Sequence, residues 1–224
     1  MDFKVSDYNQ QIIRFDHDAN FNNDDFYVSK CNEHIINFID KWPQWEKNFL
    51  NISGEKYSGK SHLTNIFLNK FKGIKFEANL FKDDDLKNLK VHQNIVLENL
   101  TNEVDEKLIY SLFNIIDQDN KYLLVTSIKP IVEISFKLND LESRTKNFIL
   151  HKIQKPDDEL IFALILKNLS DRQISIEKNL IHYIIKRINR SYSKIFDFIY
   201  KIDEVSLKKK KSIDLKIIKE VLGD

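Results

Sequence analysis

The chain has 224 residues, enough for one sizeable domain or a core domain carrying a small second one. Apolar residues make up 42% and aromatics 12%, which supports a packed core and excludes a chain that is mostly disordered. With 35 basic and 34 acidic residues the net charge is +1, so polynucleotide binding driven by overall charge is excluded as well. The single cysteine, Cys31, can form no internal disulfide, and no long apolar run or leader-like start is present. The expectation is a protein of the reducing cytoplasm that does not span a membrane.

In chain order, residues 1–24 are polar around one small apolar cluster, Ile12, Ile13 and Phe15, and read as a mobile arm. "NEHIINFIDKW" (32–42) spaces Ile35, Ile36, Phe38 and Ile39 as a helical face that ends before Pro43. "NFLNIS" (48–53) predicts a short strand that runs into a glycine loop, and "SHLTNIFLNKF" (61–71) predicts a helix directly after it. Short apolar runs at 74–78, 94–99, 122–127 and 147–153 alternate with helical patterns such as 104–118. That alternation predicts an α/β core over residues 25–155, a parallel sheet with helices on both faces. From Pro156 on, only helical periodicity remains, at about 156–169, 177–188, 191–206 and 213–222, so residues 156–224 are expected to form a small all-helical domain. The run Lys208–Lys211 reads as a solvated loop between the last two of these helices.

Two of the chain's four glycines, Gly54 and Gly59, lie in "SGEKYSGKSHL" (53–63). The segment fits G-x-x-x-x-G-K-[ST], preceded by a strand and followed by a helix. Such a loop turns backbone N–H groups inward around a polyphosphate, which glycine's access to positive φ permits, and the helix N-terminus receives the negative charge. Lys60 would reach the β- and γ-phosphates and the Ser61 hydroxyl would hold Mg2+, so ADP or ATP with Mg2+ is the expected cofactor. Gly54, Ser58, Gly59, Lys60, Ser61 and the adjoining His62 are the candidate contacts.

Nucleotide hydrolysis in such a site also calls for an acid at a neighbouring strand end to hold Mg2+ through water, and a second acid to polarise the attacking water. "NIVLENLTN" supplies Glu98 for the first role but places Asn99, which takes no proton, in the second. Slow or absent intrinsic hydrolysis is the expectation. Six histidines without regular spacing and one cysteine argue against a zinc site.

The loop with His62-Leu63, the preceding "DFYVSKCNEHIINFIDKWPQW" and the order of the later segments resemble the DnaA-related AAA+ regulators, the Hda or HdaA group of bacterial replication-initiation inhibitors. The resemblance covers about residues 25–222. It implies an AAA+ core followed by a helical lid. In "LNDLESR" it implies that Arg144 is an arginine finger reaching a neighbour's nucleotide; in "RINRSYSKIFDFIYKID", that Arg190 is the lid residue contacting phosphate, with Arg187 as competitor. It further implies that Thr126 in "LLVTSIKP" is a nucleotide sensor and that Tyr27, Val28 and Asn32 line an adenine pocket. "QQIIRF" (10–15) resembles the group's clamp-binding peptide, with Gln10 as polar anchor and Ile13 and Phe15 for an apolar pocket.

The partners implied are the initiator DnaA and the polymerase sliding clamp, with a homo-oligomer possible. The initiators continue past the lid into a DNA-binding domain, whereas this sequence ends at Asp224, so sequence-specific DNA binding is not expected. The implied function is clamp-bound promotion of ATP hydrolysis by DnaA, restraining initiation. A genuine ATPase of helicase-loader or remodelling type, and an origin-associated loading scaffold, stand as the alternatives.

Overall fold

The computed structural model describes residues 26–223. Gln10, Ile13 and Phe15 therefore lie outside the described residues. Chain order is α1 (Glu33–Ile39), β1 (Phe49–Ser53), α2 (Lys60–Phe71), β2 (Ile74–Glu77), α3 (Asp83–Asn88), β3 (Asn94–Leu100), α4 (Glu106–Gln118), β4 (Tyr122–Ser127), α5 (Asn139–Thr145) and β5 (Ile149–Lys152). Four further helices follow: α6 (Asp158–Asp171), α7 (Lys178–Ile185), α8 (Tyr192–Lys209) and α9 (Leu215–Leu222).

The five strands form one sheet in the order β2-β3-β4-β1-β5, and every pairing is parallel. Side chains alternate across a strand, so near-continuous apolar runs serve two cores at once. Phe49, Ile95, Leu97, Leu123 and Val125 face a cluster completed by α4, while Leu50, Ile52, Val96 and Leu124 face one completed by α1 and α2. Complete burial of each such side chain contributes roughly 1.5–3 kcal/mol, which makes this two-sided sheet the rigid element that positions the glycine loop.

Helix starts are chemically marked. The Asp105 carboxylate accepts from the amides of Lys107 and Leu108 ahead of α4, Asp157 from Leu160 ahead of α6, and Asp214 from Ile217 ahead of α9. Each satisfies amides that have no acceptor within the helix. Helices α6–α9 enclose their own cluster, including Ile161, Ile165, Ile184, Ile195, Ile199 and Ile218. Two buried residues of this C-terminal part, Leu160 and Tyr192, instead enter the cluster of α1 and α2, and the half-buried Leu164 packs against it.

Three local differences separate the structure from the sequence expectation. Helices α3 and α5 carry no clear apolar stripe; α3 buries none of its residues and is started by three aspartates in its first turn, a dipole effect that periodicity does not report. The helix expected over 177–188 ends at Ile185 and the next begins at Tyr192, leaving both Arg187 and Arg190 in the connecting turn. The lysine run is not simply a solvated loop. Lys208 and Lys209 form the last turn of α8 and pair with Glu204 and Glu220, and only Lys210 and Lys211 lie beyond the helix.

Candidate functional site

The loop leaves the carboxyl end of β1 and closes directly into α2. Gly59 has φ +92°, a left-handed conformation, and a Cβ there would stand 3.0 Å from the Phe26 ring. At Gly54 a Cβ would meet Ser58 Oγ at 2.7 Å and Ile153 Cβ at 3.1 Å, so both glycines are required by space or by backbone. Lys60, 7% exposed, donates from Nζ to the Gly54 carbonyl at 2.8 Å and to the Glu55 carbonyl at 2.9 Å. Burial lowers its pKa from the ordinary lysine value, partly opposed by the charges of Glu55 and Glu98.

Among the described residues Ser58 Oγ is a buried polar atom without a hydrogen-bond partner. An ammonium folded back onto loop carbonyls, an orphan hydroxyl and a glycine-lined turn at a helix N-terminus together fit a polyphosphate. The residues that would hold ADP or ATP are those of the loop. Ser61 and Glu98 would hold its Mg2+.

Strand β4 lies between β1 and β3, so Thr126 at its end stands between the loop and Glu98. Glu98 is 3% exposed. Its Oε1 accepts from Thr64 Oγ1 at 2.5 Å, and Lys75 Nζ lies 3.5 Å from Oε2. Thr64 sits on α2 one turn beyond Lys60, and its Oγ1 also lies 2.9 Å from the Ser61 carbonyl. The acid is thereby fixed against the helix that the loop starts. Asn99 occupies a bulge between β3 and β4 with φ +59°, a conformation asparagine tolerates better than most residues. Its side-chain amide donates to the Glu77 carboxylate at 3.0 Å, and its backbone amide donates to Thr126 Oγ1 at 3.0 Å. Thr126 is fully buried, and its hydroxyl shapes the turn that carries Glu98 and Asn99.

On the other side of the loop, Asn32 is buried and closes a local turn: Nδ2 donates to the Tyr27 carbonyl at 3.0 Å and Oδ1 accepts from the Ser29 amide at 2.9 Å. Tyr27 and Val28 are each 46% exposed. Phe26 packs against Gly59 and also meets the His62 ring, with centroids 5.1 Å apart. Phe26 was not singled out in the sequence, because its contact is with a glycine 33 positions later.

Residues 157–222 match the family model for the Hda lid domain. The chain is 26% identical over 188 residues to an uncharacterised protein of Haemophilus influenzae, covering 78% of this chain and 81% of that one. It is 24% identical over 200 residues to the chromosomal replication initiator DnaA of Caldanaerobacter subterraneus subsp. tengcongensis, covering 79% of this chain but 45% of the initiator. Domain III of Thermotoga maritima DnaA superposes with a TM-score of 0.70 at 17% identity, over 92% of this chain and 97% of that one. This is a DnaA-related, Hda-like AAA+ protein. AMPPCP-bound DnaA from Aquifex aeolicus also shares the fold, with a TM-score of 0.65 at 17% identity over 86% of this chain and 70% of that one.

In this Hda-like chain Arg144 lies apart from the loop, whereas Arg190 directly precedes Ser191, whose hydroxyl bonds the loop's Glu55. Arg144, in the last turn of α5, donates from Nη1 to Asp117 Oδ2 at 2.5 Å, and its guanidinium lies 5.2 Å from the Tyr110 ring centroid. Asp117 stands beside Lys47 and Asn48, just ahead of β1, so Arg144 is at the amino end of the strands while the loop is at the carboxyl end. The length of β1 alone separates those ends by about 13 Å at 3.3 Å per residue. Arg190 pairs with Asp158 at the start of α6, at 2.5 Å, in an open groove shared with Lys30 and Asp157.

The chief contacts that the sequence did not disclose run from the loop to the lid of this AAA+ chain. The Glu55 carboxylate accepts from the hydroxyls of Ser191 and Ser193 and from the Tyr192 amide at 3.0 Å. Tyr57, with φ +67°, stacks on Phe196 at 4.9 Å. Burial would raise the Glu55 carboxyl, but these hydrogen bonds outweigh it and hold the group below the ordinary carboxylate range.

Proposed function

We propose that this protein is a nucleotide-binding regulator of bacterial replication initiation that works on DnaA in trans. Held by the sliding clamp through Gln10, Ile13 and Phe15, it packs against ATP-bound DnaA. There it presents Arg144 to the initiator's nucleotide, promotes hydrolysis and so restrains initiation. The observation that carries this reading is the placement of Arg144 at the end of the sheet opposite the chain's own loop, where it cannot serve a nucleotide bound to Lys60.

Its own ADP or ATP, bound with Mg2+ through Ser61 and Glu98, acts in this reading as part of the structure. Support comes from Asn99, whose amide is engaged by Glu77 and offers no second acid to activate water. An arginine delivered in trans stabilises the charge of the phosphoryl-transfer transition state and raises turnover roughly 10³–10⁵-fold.

The test is ATP turnover by purified DnaA on DNA carrying loaded clamp, with and without this chain. Turnover should rise only when chain and clamp are both present, and the Gln10→Ala, Phe15→Ala double variant should abolish the rise. Unchanged DnaA turnover, or brisk hydrolysis by this chain alone, overturns the assignment.

A further inference from the structure

The glycine loop does more than form a cradle: two of its side chains grip the first turns of α8. Glu55 and Tyr57 lie between Gly54 and Gly59, and their partners Ser191, Tyr192, Ser193 and Phe196 all lie at the start of that helix. The first amides of a helix have no acceptor within it, so the carboxylate fills a need α8 cannot meet internally. The loop is meanwhile closed on itself by Lys60, whose ammonium bonds the carbonyls of Gly54 and Glu55. A polyphosphate that draws Lys60 to its own oxygens removes both of those bonds and sets fresh negative charge beside the Glu55 backbone.

We propose that Glu55 is a latch fastening the lid helix α8 to the loop, and that a nucleoside di- or triphosphate entering the loop releases it. Because α8 carries Tyr192 into the cluster beneath the loop, the latch sets how firmly the lid's first turn is seated on the core. Coupling of this kind is reciprocal: if nucleotide loosens the latch, removing the latch tightens nucleotide binding by the same factor. The inference rests on the loop being the nucleotide site.

The test is residue-resolved amide hydrogen exchange on the full chain, together with calorimetric titration of Mg-ADP. In the nucleotide-free protein, the Tyr192 and Ser193 amides should exchange roughly tenfold faster in Glu55→Gln than in the wild type, because a hydrogen bond to a charged acceptor is lost. Mg-ADP should accelerate the same two amides in the wild type while slowing those of residues 58–61, and Glu55→Gln should bind Mg-ADP several-fold more tightly. Tyr57→Ala, which leaves the carboxylate in place, should spare Tyr192 and Ser193 in comparison.

Protection at residues 58–61 with no change at Tyr192 and Ser193 keeps the nucleotide reading and overturns the latch. No heat and no protection in the loop overturns the nucleotide reading and, with it, release by nucleotide. Equal exchange at Tyr192 and Ser193 in Glu55→Gln and wild type overturns the latch irrespective of any ligand.

Discussion

Thr64→Val isolates the contact that holds Glu98. Thr64 is fully buried on α2, and its hydroxyl is placed between Glu98 Oε1 at 2.5 Å and the Ser61 carbonyl at 2.9 Å. Valine keeps the branched shape and the helix rotamer, so the change removes a hydrogen bond and opens little space. A hydrogen bond to a charged group contributes about 1.5–3 kcal/mol, and the methyl gained returns about 0.8 kcal/mol of burial. The net loss is roughly 1–2 kcal/mol, which for a chain of this size lowers the thermal midpoint by about 2–8 °C.

The deciding assay is a double-mutant cycle with Glu98→Gln, followed by thermal unfolding. If Thr64 acts by satisfying the carboxylate, its replacement costs about 1 kcal/mol less once the charge is gone, a coupling beyond the 0.3–0.5 kcal/mol expected of independent sites. Equal costs in both backgrounds would falsify the claim that Thr64 positions Glu98, and would make it a packing residue only.

Arg144→Ala removes an ion pair with a half-exposed aspartate and one ring contact, so stability should fall by no more than about 1 kcal/mol while stimulation of DnaA turnover falls at least a hundredfold. Full stimulation by that variant refutes the finger. Asn99→Asp sets a carboxylate against Glu77; we expect lower thermal stability by about 1 kcal/mol and no gain in hydrolysis, and brisk turnover by the single variant would show that Glu77 does not block that position. Glu55 lies below its unfolded value of 4.5 when folded, so its contribution is complete above pH 4.5 and is lost as pH falls through the folded value. The midpoint difference between wild type and Glu55→Gln should therefore be constant from neutrality to about pH 5 and shrink below 4.5; a difference that persists in acid means the carboxylate charge is not the cause.

What was legible in the sequence was whatever repeats locally. Apolar runs such as "NIVLEN" and "YLLVTS" could be placed as buried strands because both faces of a parallel strand need hydrocarbon, and the glycine spacing marked the loop because glycine is rare here. The position of Glu98 at a strand end was equally open to inspection.

What stayed hidden depends on distant pairings. Nothing near residue 55 indicates that its carboxylate meets serines 136 and 138 positions later, and nothing near Thr64 points to an acid 34 positions on. The adenine-side expectation shows the limit of residue type alone. Asn32 is the right kind of group to read a base, yet its two amide atoms are engaged by the backbone of its own turn. Thr126 likewise directs its hydroxyl to the Asn99 amide.

Placing Arg144 at one pole of the sheet and Lys60 at the other gives the molecule a head and a tail. A two-fold pair that joined the guanidinium of one copy to the cradle of the other would do so twice, and reciprocally, leaving no copy distinct. Stacking with a consistent sense makes the contact one-way, and a chain seated at the end of such a stack would offer its arginine inward while its own cradle had no donor. Position in the row, rather than any difference in sequence, would then decide which subunit gives and which receives.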